Sequence, residues 1–234
     1  ARHKKVDPSA LEGGTTILEP RPGQRTLRMA YFFSGVKRKC SVGEHLKALC
    51  AKQGLGLQIF EVDVLVGGSE HDLLDGPTQD KWIARLEEGE FDCILLSPPC
   101  GTWSRANYAN DSGPKPCRSR RHPWGTPHQR LGQQRRAQSG NEFILFSLRA
   151  IKASQTAKRN GHQVRCILEH PEDLGVTPRG FPASIWQPEV GMREAFGDTP
   201  SVSVAGHQCQ FPDVDRSKPT RLHSDILTLA DFGQ

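Results

Sequence analysis

Phe91-Asp-Cys-Ile-Leu-Leu96 runs without a break into Ser97-Pro98-Pro99-Cys100, and the reading of this junction decides the fold. The apolar run has the length and composition of a buried strand. Two successive prolines admit neither helix nor central strand, so a rigid loop begins where the strand ends. Ligands of α/β sheets bind beyond the carboxyl ends of their strands, which makes this loop the first place to look for chemistry.

Upstream, Thr26-Leu-Arg-Met-Ala-Tyr-Phe-Phe33 predicts a buried strand that Ser34-Gly35 breaks. Ser41 followed by Glu44 is a capping-box pattern that opens a helix to Gln53, with Gly54 as its C-terminal cap. Leu57-Gln-Ile-Phe-Glu-Val-Asp63 predicts a strand ending in acids, and Thr78 is expected to cap a helix to about Glu88. Downstream, Gln138 to Asn160 predicts a long helix with Phe143, Ile144, Leu148 and Ile151 on its apolar face. Val164 to Leu168 predicts a strand ending in Glu169-His170-Pro171, a shorter helix is expected within Ile185 to Phe196, and Ser201 to Val204 predicts a last strand. This alternation predicts an α/β protein with a doubly wound, mostly parallel sheet. Residues 1–25 hold Pro8, Gly13, Gly14, Pro20, Pro22 and Gly23 and few apolar residues, so they are expected to be an N-terminal tail or arm. The domain proper is expected over 26–234, with a basic loop at 101–137.

A chain of 234 residues with 35% hydrophobic and 24% charged residues is long enough for one α/β domain and too apolar for a disordered one. No apolar stretch approaches a membrane span, and Ala1-Arg-His-Lys-Lys5 lacks a signal-peptide core, so an intracellular protein is expected, with the nucleus left open. Between Arg105 and Arg136 eight basic residues face one acid, Asp111. An excess of that kind points to an anionic partner, nucleic acid first, with a solvated basic surface as the alternative. The seven cysteines (40, 50, 93, 100, 117, 166, 209) include no CxxC pair. Cys117, His122 and His128 lack a fourth ligand at a zinc spacing, so no metal is expected.

Four strand ends converge in this topology. Phe33, Ser34 and Gly35 follow the first strand, Glu61 and Asp63 end the second, Ser97 and Pro98 precede Cys100, and Glu169 ends the next. An acid at the end of a second strand binds ribose hydroxyls in dinucleotide folds, yet a GxGxxG fingerprint is absent. S-adenosylmethionine is the nucleoside cofactor that fits, with Asp72 of His71-Asp72-Leu73 as an added adenine contact. Cys100 is either a nucleophile, favoured by cationic neighbours such as Arg105, or a packed thiol. Glu169 is either an acid donating to a base ring or a capping carboxylate. Trp103, Tyr108 and Trp124 are either stacking platforms or packing, and Arg118, Arg120 and Arg121 are candidate phosphate ligands.

These motifs resemble those of the C5 cytosine DNA methyltransferases. The family's cofactor loop is similar to Tyr31-Phe32-Phe33-Ser34-Gly35, its Pro-Pro-Cys to Pro98-Pro99-Cys100, its continuation to Thr102-Trp103-Ser104, and its Glu-Asn-Val to Glu169-His170-Pro171. Ser-Pro-Pro-Cys together with Glu-His-Pro-Glu-Asp-Leu-Gly and Lys218-Pro-Thr-Arg221 looks like the divergent methyltransferase-like domains of protist and retrotransposon sequences. The resemblance implies a Rossmann-like methyltransferase fold. It implies that Cys100 attacks C6 of an extruded cytosine and that Glu169 supports the ring. It also implies nucleic-acid contacts for Ser104, Lys218 and Arg221. Tyr31 stands where the family has an acid, and Gly101 where it has Gln. A target recognition domain is expected to be missing, so that a partner or separate segment supplies recognition. The alternatives are a degenerate cofactor- or nucleic-acid-binding domain, an RNA cytosine methyltransferase, or an amino methyltransferase.

Overall fold

The computed structural model of the protein describes residues 14–36, 41–109, 113–208 and 217–231, and the first half of the expected N-terminal arm lies outside them. Strand β2 (Thr26–Phe32) turns Ala30 and Phe32 to one side and Met29 and Tyr31 to the other. It pairs in parallel with β3 (Gly56–Val62), Tyr31 opposite Glu61, and with β4 (Cys93–Leu96), Tyr31 opposite Leu95. Strand β5 (Arg165–Pro171) lies parallel to β4, with Leu96 opposite Leu168. Beyond it β7 (Pro219–Ser224) runs antiparallel to both β5 and the edge strand β6 (Val202–His207). The seven-stranded order is β1-β3-β2-β4-β5-β7-β6, and all strands except β1 (Thr15–Leu18) and β7 run one way.

Helices cover both faces. On one face α3 (Gly76–Glu87) and the 29-residue α4 (Leu131–Arg159) bury Trp82, Ile144 and Phe146 against Phe32, Ile94 and Leu168. On the other, α1 (Val42–Gln53) packs Cys50 near Met29, Leu57 and Ile59. Ser41 accepts from the Glu44 amide and Gly54 closes α1 in the left-handed region, as the capping pattern predicts. Among the described residues no helix is long and apolar enough to cross a membrane.

Several expectations need correcting. Within the expected arm, Thr15–Leu18 is a strand of the sheet, antiparallel to β3. The cap of α3 is Asp75, whose carboxylate accepts from the Thr78 amide, so Thr78 already lies inside the helix. Helix α4 starts at Leu131, seven residues before the expected Gln138, and takes Arg135 and Arg136 out of the loop. Residues 185–196 form two short 3-10 turns (Pro188–Val190 and Glu194–Phe196), because Pro188 and the left-handed Gly191 interrupt any longer helix.

Candidate functional site

The loop after β4 is held at its root, where the Ser97 amide donates to the Phe32 carbonyl at 3.3 Å. Pro98 is buried, Pro99 is exposed, and the Trp103 amide closes a turn on the Cys100 carbonyl at 3.0 Å. Cys100 is half-buried on the wall of a cavity of about 760 Å³ that also includes Arg105, Tyr108, Glu172, Arg179 and Lys218. The cations in that wall are positioned. Arg105 donates to the Leu174 carbonyl at 2.8 Å, and the Lys218 ammonium lies 3.3 Å from the Glu169 carboxylate.

Glu169 sits inside β5 opposite Leu222 and reaches the cavity through Lys218. The carboxylate in the cavity wall is Glu172, paired with Arg221 at 2.7 Å. Arg221 also donates to Ser203 at 2.8 Å, so its guanidinium is a structural clamp between β6, β7 and the end of β5. As members of the cavity wall, Glu172, quoted only within the run Glu169 to Gly175, and Arg179 escape a reading of the sequence. Their only signal is a charge placed shortly after the Glu169-His170-Pro171 strand end.

At the ends of β2 and β3 the chain adopts a strained turn. Phe33 has φ of 61° and Gly35 φ of 68°, and the Gly35 amide donates to Asp63 Oδ2 at 3.0 Å. Asp63 Oδ1 accepts from the Leu65 amide at 2.9 Å and caps the single turn α2 (Val64–Gly67). Both oxygens of Asp63 are thus engaged, and its role is to pin the loop. The Phe33 ring is buried edge-on against Phe143 and Phe146, which leaves only its backbone for a ligand. The Ser34 hydroxyl turns to the Gly35 carbonyl. Glu61 is 3% exposed beside the first turn of α1, where a Cβ on Gly43 would come within 3.3 Å of its Oε1. Burial raises the pKa of the Tyr31 phenol, a Ser97 hydrogen bond lowers it, and the charges of Glu169, Glu61 and Asp63 raise it. Tyr31 therefore stays protonated and brings a donor among carboxylates from two strand ends, those of β3 and β5. Asp72 is occupied in a turn, accepting from the Leu74 amide at 2.9 Å, while His71 and Leu73 are buried.

The basic segment is only partly a surface. Trp103 is 2% exposed and donates toward the Gly140 carbonyl of α4, so it is core and offers no platform to a base. Arg118 is 1% exposed, and its donors go to Thr102, to the Pro123 and Ala137 carbonyls and to Asn141. It is no phosphate ligand: the guanidinium ties the loop to α4. Trp124 packs edge-on against Trp103 at 5.7 Å. The Ser104 hydroxyl caps the turn Arg105–Tyr108 by accepting from Ala106. Arg120 pairs with Asp173 at 3.1 Å and is half exposed, and Arg121 is exposed. Among the described residues no group of three or more His, Cys, Asp or Glu side chains is placed to hold a metal.

Comparison with protein-family profiles, with curated proteins and with solved structures returns no match to this chain.

Proposed function

We propose that the protein transfers a methyl group from S-adenosylmethionine to C5 of cytosine in nucleic acid, DNA in the first instance, through a covalent adduct on Cys100. The observation that carries this reading is the placement of Cys100 directly after Pro98-Pro99, at the carboxyl end of a central parallel strand, on the wall of a cavity of about 760 Å³ ringed by cations. That volume accommodates a nucleobase and part of its sugar. The mixed sheet, parallel from β3 through β5 with β7 reversed between β5 and β6, is compatible with a Rossmann-like fold.

The residues at the neighbouring strand ends suit the cofactor. Glu61 and Glu169 supply carboxylates and Tyr31 a phenol for hydroxyl and ammonium groups, and among the described residues no atom lies within 4 Å of a Cβ built on Gly35. Asp63 holds the loop and Asp72 holds its own turn. The bound cofactor supplies an electrophilic methyl group. The Cys100 thiolate adds to C6 of an extruded cytosine and makes C5 nucleophilic. Lys218, held by Glu169, faces the cavity as a donor to the polar edge of the ring and lends it positive charge. C5 would then take the methyl group as its bond to the sulfonium sulfur breaks, and transfer of the C5 proton to water restores the C5–C6 double bond and expels the thiolate.

The test is intact mass spectrometry after incubation with S-adenosylmethionine and an oligonucleotide carrying 5-fluorocytosine, whose fluorine blocks the final proton loss. A stable adduct is expected with the natural chain and none with Cys100→Ser. An oligonucleotide that binds in the presence of cofactor without forming an adduct overturns the reading.

A further inference from the structure

A second cavity of about 560 Å³ adjoins the one that holds Cys100, and Tyr108 contributes to the wall of both. We propose that this second cavity is a subsite for the nucleotide next to the target on the same strand, so that the protein engages an unpaired strand of at least two nucleotides. The inference rests on reading the Cys100 cavity as the pocket for the target base.

Three observations favour this occupant. First, Phe181 is 58% exposed at the rim, and a large ring left in water beside a cavity is a stacking platform in want of a partner. Second, the charges are divided in the way a nucleotide requires. Arg121 is exposed and offers a phosphate a cation, Arg120 is partly neutralised by Asp173, and Glu189 offers an acceptor to a base amino group. Third, the walls are built. The Arg120 amide donates to the Phe181 carbonyl at 2.8 Å and its own carbonyl accepts from the buried Gln187 at 2.9 Å. The Tyr108 hydroxyl donates to the Arg118 carbonyl at 2.6 Å, which hangs the partition on the buried arginine. Gly180, at φ 138°, lies so near that a Cβ there would meet Tyr108 Cε1 at 2.9 Å. Preformed walls spare a bound base the cost of ordering them. A base inside a duplex is stacked on its neighbours and cannot enter, so two adjacent pockets select unpaired nucleotides.

The experiment pairs protein and ligand changes. Fluorescence anisotropy measures the affinity of single-stranded oligonucleotides with one central cytosine, intact or with an abasic site on its 5′ or its 3′ side. Phe181→Ala, at a side chain 58% exposed, is expected to cost about tenfold on the intact strand. On one of the two abasic strands it is expected to cost less than twofold, and that strand reports the polarity of binding. Arg121→Ala is expected to weaken all three strands alike, and a blunt duplex of the same sequence is expected to bind more weakly than the single strand. Equal losses for Phe181→Ala on all three strands, or none, overturn the subsite. Adduct formation at Cys100 reports the first cavity separately. An adduct without coupling between Phe181 and a flanking base overturns the subsite alone, and coupling without an adduct supports the subsite while overturning the C5 chemistry.

Discussion

The guanidinium of Arg118 lies 4.0 Å from the centroid of the Trp103 ring, and both side chains are almost wholly buried between the basic segment and α4. The charge is kept because its donors are spent on two backbone carbonyls, a hydroxyl and a side-chain amide. Burial nevertheless lowers its pKa to about 10. Gly140 belongs to the same arrangement, since a Cβ there would meet Thr102 at 2.5 Å and Arg118 at 2.8 Å.

Arg118→Ala is expected to destabilise the fold by about 3–5 kcal/mol, because it strips buried acceptors of their partner and opens a void beneath Trp103. Arg121→Ala, on the exposed surface, is expected to stay within about 0.5 kcal/mol. Urea unfolding of the two variants decides the matter, and equal midpoints would show that Arg118 is a surface residue.

Asp63→Ala is expected to release the loop at Gly35 and the turn α2 together, since one carboxylate accepts from both Gly35 and Leu65. Losing two charge-assisted bonds costs roughly 1.5–3 kcal/mol each at most. Calorimetry with S-adenosylhomocysteine is expected to show weakened binding alongside a lowered melting temperature. Glu61→Gln is expected to weaken binding with a smaller change in melting. A variant of Asp63 that melts normally would return it to the role of a direct ligand.

Much of this frame is legible in the sequence. The apolar blocks of β2 to β5 and the Ser41 and Gly54 caps carry local signals that tertiary packing does not override. β1 and β7 are not legible, because Thr15-Thr-Ile-Leu18 follows a Gly-rich stretch and Pro219-Thr-Arg-Leu-His-Ser224 is polar, so neither reads as a strand until a neighbour supplies its pairing. Within the candidate site, Cys100 and the loop at Phe33–Gly35 are marked by prolines and small residues. Arg118 is not, since composition counts charge without saying which charge is buried. Phe181 is equally silent, a lone ring in Thr-Pro-Arg-Gly-Phe-Pro182.

Stability is expected to fall as the solution is acidified below pH 6.5. Burial, and then the positive charge of Lys218, lowers His170 to about 3. Burial, and then Arg193 and Arg221, lowers His223 to about 4. The unfolded chain takes up protons below the ordinary histidine pKa near 6.5, whereas the folded one does not. The stabilising preference for neutral rings is thus fully present above that pH and is lost toward pH 4 and 3. Two such protons give a slope of at most about 2.7 kcal/mol per pH unit. His223→Phe, in a pocket where the ring already packs edge-on to Phe196 at 4.6 Å, is expected to remove about half of it between pH 6 and 5. An unchanged slope would discount His223.

Gly180→Ala is expected to cost about 1–3 kcal/mol for its backbone conformation and to push the Tyr108 ring aside. The chain holds two tyrosines, so ring-labelled NMR assigns the effect directly. Tyr108 is expected to shift and Tyr31 to stay, and a stationary Tyr108 signal would mean that the partition does not depend on Gly180.

The length of α4 adds a spacer to this arrangement. At 1.5 Å per residue its 29 residues form a rod of about 43 Å. One end is bolted to the basic segment through Gln133 to the Pro116 carbonyl and through Ala137 to Arg118, and the other is anchored by Lys158 to the buried Asp225 just past β7. Asp225 also receives the Cys166 amide, so one carboxylate fixes this end of the rod to the sheet, and α4 holds the basic segment and the β5–β7 side of the sheet at a set spacing.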